Sequence, residues 1–159
     1  MILNKRHGLL IFFATIGLAL SFVALYPTRQ QPIFHPTHPF VLNGQPIDLE
    51  IVTSTKDMAQ GLGDRQDLPN RHGMLFVYAS PGIHPFWMRH MHVPIDIIWI
   101  HEGRVVDIAH RLPPPRFFLD PQTTYHPQGA ATWVLEIPAG STRQYGLEVN
   151  GRVDLAPSS

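Results

Sequence analysis

Short apolar runs separated by turn residues fill the sequence from Phe40 onward, and they limit its fold more than any other feature. Pro46–Val52 alternates, with Ile47, Leu49 and Ile51 on one face, as a half-buried strand does. The other apolar runs are Met74–Tyr78, Phe86–Met91, Ile95–Ile100, Val105–Ala109, Thr132–Ile137 and Gly151–Leu155. Many short strands with frequent turns predict a mainly β fold, a compact β-sandwich or barrel-like domain.

One short helix is predicted within this domain. Ser54 and Asp57 resemble a capping box, and the following KDMAQGL segment would end at Gly61 or Gly63. Leu112 to Gly129 is rich in proline and aromatic residues and is predicted to be a long, partly packed loop.

The N-terminal segment predicts export. Lys5 and Arg6 precede the uncharged stretch Gly8–Tyr26, which as a helix would span roughly 28 Å, about a bilayer core. Residues 1–7 would stay cytoplasmic, residues 8–26 would form a transmembrane anchor or a signal peptide, and residues 27–39 a proline-rich linker. The domain, residues 40–159, would then be extracytoplasmic, either anchored in the membrane or secreted if cleavage occurs near Ala19–Ser21.

Composition excludes several classes of function. Twelve basic and twelve acidic residues balance, and no basic run follows the short start, so no nucleic-acid partner is expected. The chain has no cysteine, which excludes disulfides, thiolate nucleophiles and zinc sites built from cysteine.

Phe86–Ile100, FWMRHMHVPIDIIWI, is the stretch most typical of a site, because polar residues interrupt a core-like sequence. Strand alternation places Asp96 on the face opposite Trp99. A buried carboxylate needs a partner, and Arg65 or Arg89 could pair with it. Alternatively, Asp96 could hold a loop beside Pro94 by accepting backbone N–H groups.

The histidines of this stretch raise a second possibility. His90 and His92 would share a strand face with Met88, and imidazole with thioether suits copper in an exported protein. Zinc is a further possibility. The competing interpretation is a solvated edge whose methionine fills the core, so no metal or other cofactor is assigned.

Trp87 and Glu136 each allow a further interpretation of the site. Trp87 could be a core residue or an exposed platform for a sugar or peptide. Glu136, within a strand, could pair with Asp96 as the two carboxylates of a glycosidase do. A hydrolase-like enzyme would use Asp96 with His90 or Glu136.

A series of motifs resembles one known family. GMLFVY, FWM, PIDIIWI, GRVV, VLEIPAG and NGRV occur in order, after GLGDRQDL, across roughly residues 48 to 155. This pattern resembles the bacterial and archaeal DUF192 family, a domain of unknown function. The resemblance implies a compact β-rich domain that is exported or membrane-tethered, and it implies no activity. Gly63 stands where a methionine is usual, Arg89 begins a departure from Lys-Asn-Thr, and the cysteines that many relatives carry before the last strands are missing.

The leading prediction is therefore a non-enzymatic envelope domain that binds a small molecule, a glycan or a protein. Its candidate ligand-binding residues are Arg65, Trp87, Arg89, His90 and Asp96. The alternatives are the hydrolase-like enzyme and a copper- or zinc-binding protein using His90, His92 and Met88.

Overall fold

The computed structural model describes residues 31–116 and 123–158, and β-strands make up most of their regular structure. The strands are β1 (Thr37–Leu42), β2 (Gln45–Val52), β3 (His72–Gly82), β4 (Phe86–Trp87), β5 (Ile95–His101), β6 (Arg104–Leu112), β7 (Thr124–Tyr125), β8 (Ala131–Pro138) and β9 (Leu155–Pro157). A short helix α1 (Thr55–Gln60) and a 3-10 turn (Ser141–Arg143) complete these ranges. The predicted mainly β class with one short helix is confirmed.

Seven strands form one mixed sheet in the order β6-β5-β8-β3-β2-β1-β9, and β4 pairs with β7 in a separate ribbon. All neighbours are antiparallel except β2 and β3, which run parallel. A parallel pair requires a crossover connection, and the chain between Val52 and His72, which contains α1, supplies it. This crossover places α1 beside β3, where the candidate site is found.

The outer strands of the sheet approach each other without closing a barrel in the part of the chain that the structure describes. An isolated bridge joins Arg104 to Arg152, and Val153 donates a backbone hydrogen bond to Gly103. The barrel alternative is thus corrected to a mixed sheet. The last strand also begins at Leu155, later than predicted, because residues 150–153 direct their backbone bonds to the start of β6.

The core lies on both faces of the sheet, as strand alternation requires. One cluster, here called the helix-side core, contains Met74, Phe76, Ile95, Ile97, Trp99 and Val134. The second cluster, on the opposite face, contains Leu49, Leu75, Ile98, Ile100, Leu135 and Ile137. Trp99 and Ile98 lie on opposite faces, as expected from the alternation that places Asp96 opposite Trp99. Ile51 shares the strand face of Ile47 and Leu49, as predicted, but it is exposed, whereas Glu50 and Val52 on the other face are buried.

Helix α1 forms as its capping residues predict. The Ser54 hydroxyl accepts the N–H of Asp57 at 3.2 Å, which satisfies one of the free donors of the first turn. The helix ends at Gly61, whose φ of 53° lies in the left-handed region that glycine tolerates.

The chain from Phe86 to Met91 differs from its prediction as one strand. Only Phe86–Trp87 is extended, and Met91 then donates a backbone hydrogen bond to Met88, which makes a turn. His90 has a φ of 59° and accepts the N–H of Asp64 at 2.7 Å. The turn therefore ties this segment to the chain that follows α1.

The predicted membrane segment, residues 8–26, lies outside the described residues, as do residues 1–7. No helix within residues 31–116 and 123–158 combines the length and the apolar character needed to span a bilayer. Strand β1 starts at Thr37, inside the segment predicted as a linker, and its pairing with β2 begins opposite Glu50. The predicted loop from Leu112 to Gly129 contains β7, and residues 117–122 of it lie outside the described ranges.

Candidate ligand-binding pocket

An open cavity of about 420 Å³ lies between α1, β3 and the turn after β4. Its size falls within the range of ligand sites for small molecules. We call it the Glu136 pocket. Its lining residues are Thr53, Thr55, Met58, Ala59, Gln60, Gly61, Leu62, Phe76, Val77, Tyr78, Ala79, Pro85, Phe86, Trp87, Arg89, Met91 and Glu136.

Glu136 is the buried acid of this pocket. It lies on β8 opposite Met74 of β3, and only 4% of it is exposed. The backbone N–H of Leu62 donates to its carboxyl group, but its Oε2 atom has no hydrogen-bond partner among the described residues. Gly61 leaves room beside this atom, since a Cβ there would lie 3.6 Å from Oε2. A buried polar atom without a partner is uncommon, and here it borders a cavity.

Burial controls the charge of this acid. Desolvation raises the pKa of Glu136 to about 8, although the Leu62 N–H and the positive charge of Arg65 act in the opposite direction. Burial, with the adjacent Glu136, also raises the pKa of Tyr78 to about 12. At neutral pH the pocket therefore contains a neutral carboxyl group, which can donate one hydrogen bond and accept others.

Aromatic rings form one wall. The Phe86 ring packs edge-on against Phe76, with centroids 4.9 Å apart, and against Trp99 at 6.0 Å. Those three rings are buried, whereas Trp87 is 45% exposed. Trp99 therefore belongs to the core, whereas Trp87 offers part of its ring to solvent at the pocket, as in the exposed alternative predicted for it.

A second pair of rings packs next to these aromatic residues. The rings of Tyr78 and His84 stack with centroids 3.5 Å apart, and the His84 carbonyl accepts the Trp99 Nε1–H at 2.8 Å. The loop between β3 and β4 is therefore fixed to the core beneath it.

Arg89 is the cation at the pocket. It is exposed and lines the cavity, and its guanidinium has no hydrogen bond or ion pair with any residue in the described ranges. Of the predicted ligand-binding residues, Trp87 and Arg89 line this pocket, and Glu136, predicted only as a catalytic alternative, lies with them.

Arg65 has a different environment from the one predicted. Its guanidinium makes two hydrogen bonds to Glu50, one of them from Nη2 to Oε2 at 2.8 Å, and also donates to the Ile33 carbonyl at 2.6 Å. His72 contacts the same carboxylate at 2.7 Å. Burial alone would raise the pKa of Glu50, but these hydrogen bonds outweigh it and hold that pKa at about 2. The expected pairing of Arg65 with Asp96 was wrong, because Glu50 takes that role.

Asp96 points away from the Glu136 pocket. It is fully buried on the other face of the sheet and accepts the backbone N–H groups of Arg111 at 2.7 Å, Gly140 at 2.8 Å and Thr142 at 3.3 Å. This arrangement matches the structural alternative, in which Asp96 holds loops in place.

The predicted carboxylate pair is not formed. Ile97, not Asp96, lies opposite Glu136 in the sheet, so the two acids project to opposite faces. The His90 Nδ1 lies 3.4 Å from the Asp64 carboxylate, whereas Asp96 accepts hydrogen bonds from backbone N–H groups. The geometry required for a hydrolase using Asp96 with either residue is therefore missing.

The metal alternative loses its geometric basis. His90 and His92 follow a two-residue strand rather than share one, His92 is exposed, and Met88 is part of the helix-side core. Across residues 31–116 and 123–158, no group of three His, Cys, Asp or Glu side chains could hold a metal ion.

A second, more open depression of about 680 Å³ lies near the 3-10 turn, and its lining includes Arg111, Arg143 and Glu148. None of its described lining side chains has a buried polar atom without a partner. The Glu136 pocket is therefore the stronger candidate.

The fold and pocket define a small mixed-sheet β domain with a buried acid beneath an open cavity. The chain belongs to the DUF192 family, described as an uncharacterized ACR, whose profile matches residues 40–155, more than half of the sequence. The family resemblance drawn from the sequence motifs is confirmed. The chain has no match among curated proteins.

Two solved structures are similar to this fold. A protein of unknown function from Novosphingobium aromaticivorans DSM 12444 is 26% identical, with a TM-score of 0.65, over 81% of this chain and 99% of that one. A protein from Sinorhizobium meliloti 1021, described as a proposed transcription regulator, is 21% identical, with a TM-score of 0.64, over 78% of this chain and 97% of that one. The second likeness shows the fold alone.

Sequence reasoning missed the different partners of Glu50 and Glu136. Both occupy apolar strands at positions facing the helix-side core, which marks them as buried acids. Their partners come from the crossover between β2 and β3, whose path no local pattern in the sequence specifies.

Proposed function

We propose that this domain is a non-enzymatic binding module that takes a sugar-like small molecule or glycan unit in the Glu136 pocket. The observation that carries the proposal is the Oε2 of Glu136, which has no hydrogen-bond partner in the described part of the chain and lies beside a cavity of about 420 Å³. A ligand hydroxyl would complete the hydrogen bonding of this atom, which is costly to leave unmatched.

The exposed face of Trp87 supports a ring-shaped ligand. Sugars present C–H groups on one face and hydroxyls around the edge, so an aromatic ring and a carboxyl group together suit them. The described lining supports a non-catalytic role, because Glu136 is its one acid among residues 31–116 and 123–158. Glycoside hydrolysis ordinarily requires two.

Ligand-observed saturation-transfer NMR on the purified full chain would test this proposal. We expect signals from a panel of methyl glycosides that includes neutral, acidic and amino sugars, and a strong reduction with Trp87→Ala. Val149→Ala is a matched control, because Val149 is similarly exposed and does not line the pocket. Absence of transfer from every glycoside, or transfer unaffected by Trp87→Ala, would contradict the proposal.

We further propose that the domain is presented outside the cytoplasm on an N-terminal anchor. Lys5 and Arg6 before the apolar stretch Gly8–Tyr26 support this orientation. A phosphatase reporter that is active only after export, fused after Ser159, should be active. Activity of a cytoplasm-restricted reporter at the same position, with an inactive phosphatase fusion, would refute export.

A further inference from the structure

The charges of the Glu136 pocket are unusually simple. Among its described lining residues, Arg89 and Glu136 are the only two with ionisable acidic or basic side chains of the Asp, Glu, Lys, Arg and His types. Arg89 has no acidic partner in the described ranges, and Glu136 lies at the base in a site that disfavours its charge. The pocket therefore presents one uncompensated positive group at its opening.

A carboxylate on the ligand would match both groups. A guanidinium binds carboxylate oxygens through paired N–H donors, and a neutral carboxyl group can donate its proton to the same kind of acceptor. A neutral ligand would leave Arg89 unmatched, and a cationic ligand would be repelled by it.

Resting on the proposed function, we propose that the Glu136 pocket selects acidic sugars of the uronate class, whose carboxylate is held by Arg89 and by the unpartnered oxygen of Glu136. The ring of the sugar lies against Trp87. The selected class is thus defined by one negative charge on a compact hydroxylated ring.

The preference for acidic sugars should depend on pH. The pKa of about 8 means that Glu136 loses its proton as the pH rises past 8, after which two carboxylates would face each other. The other ionisable groups around Glu136 are Arg65, which is paired with Glu50, Arg89 and Tyr78, whose pKa is about 12. None of these groups changes its charge between pH 7 and pH 9, because arginine stays protonated and the tyrosine stays neutral, so a change in preference over this range is assigned to Glu136.

Isothermal titration calorimetry on the full chain in a mild detergent would test the inference with three matched probes: methyl β-glucuronide, methyl β-glucoside and methyl β-glucosaminide. At pH 6.5 we expect the glucuronide to bind about tenfold more tightly than the glucoside, as one charge-assisted contact provides. The glucosaminide should bind most weakly.

Variants of Arg89 and Glu136 test which of these two side chains causes the preference for the glucuronide. Arg89→Gln should abolish the preference for the glucuronide, whereas Lys56→Gln, an equal loss of charge on exposed α1 outside the pocket lining, should keep it. Glu136→Gln should keep the preference and remove its decline between pH 7 and pH 9, because an amide donates without titrating.

Equal binding of glucuronide and glucoside, or tightest binding of the glucosaminide, would overturn the acidic class while the binding function stands. Binding of no glycoside at all would overturn both proposals. A preference that survives Arg89→Gln would overturn the assigned contact, since the carboxylate would then be bound elsewhere.

Discussion

Asp96→Asn tests whether Asp96 is a structural residue, because the substitution keeps the shape of the side chain and removes one acceptor. The carboxylate accepts three backbone N–H groups, from Arg111, Gly140 and Thr142, and has no exposure to solvent. An asparagine has one acceptor oxygen and a donor NH₂, so in either orientation at least one N–H faces another donor.

The expected cost follows from these contacts. A hydrogen bond to a charged acceptor contributes roughly 1.5–3 kcal/mol, and the bonds that remain would weaken to those of a neutral acceptor, so the total should be about 2.5–5 kcal/mol. This is a large part of the roughly 5–15 kcal/mol that stabilises a typical domain.

Urea denaturation of the fragment Gln31–Ser159, a compact unit by its contacts, would measure this cost as a lower midpoint at an unchanged slope. Asp107→Asn is the matched control, since Asp107 accepts two backbone N–H groups at the surface, from Ile108 and Gln128. We expect its cost to stay at about 1 kcal/mol, because solvent competes for these less buried hydrogen bonds and can replace them. If Asp96→Asn cost no more than Asp107→Asn, the view of Asp96 as a three-way loop clamp would be refuted.

Three further predictions concern the rest of the domain. Trp87→Ala should change the free energy of unfolding by less than about 1.5 kcal/mol, because the ring is 45% exposed; calorimetry would check this, and a larger loss would place the ring in the core. Stability should fall as the pH rises from 4.5 to about 8, since folded Glu136 keeps a proton that the unfolded chain releases, and should also fall as the pH drops from 4.5 toward 2, where Glu50 loses the charge that binds Arg65. Denaturation midpoints measured from pH 4.5 to 8 should no longer fall with rising pH in Glu136→Gln. If they fall as in the wild type, the pH dependence does not come from Glu136. Gly73→Ala should destabilise by roughly 1–3 kcal/mol, because its Cβ would lie 2.8 Å from the Glu136 carbonyl oxygen on the neighbouring strand; a wild-type melting temperature would argue against such close packing.

Much of the fold could be predicted because its information is local. Alternation in Ile95–Ile100 predicted which residues share a face, and Ser54 with Gly61 predicted the bounds of α1 within a residue or two. Strand β1 was missed because Pro39 lies inside it, and proline usually disfavours a strand. Proline is usually found in strands at the edge of a sheet, but β1 is not an edge strand, because β2 and β9 lie on either side of it.

Only some residues of the candidate site could be predicted from the sequence. Arg89 was identified because it interrupts an apolar stretch, and Trp87 because an aromatic ring there could be an exposed platform; both line the pocket. Arg65 was assigned to Asp96 although it binds Glu50, because pairing between distant residues depends on the path of the crossover. The turn at His90 was not predicted, because it depends on a hydrogen bond from the Asp64 N–H to the His90 carbonyl. Such a contact between residues distant in the sequence leaves no local sequence pattern.

The three buried acids of the sheet show why burial alone does not identify a site. Glu50 has its charge matched by Arg65 and His72, and Asp96 has its charge matched by backbone N–H groups, so each is already satisfied by the fold. Glu136 receives one N–H at its carboxyl group, and its Oε2 borders the cavity with no partner within residues 31–116 and 123–158. A folded chain gains nothing from leaving that atom unmatched, whereas a ligand that completes its hydrogen bonds gains affinity. The acid with the fewest internal partners among the described residues is therefore the one through which we propose that this domain binds a ligand.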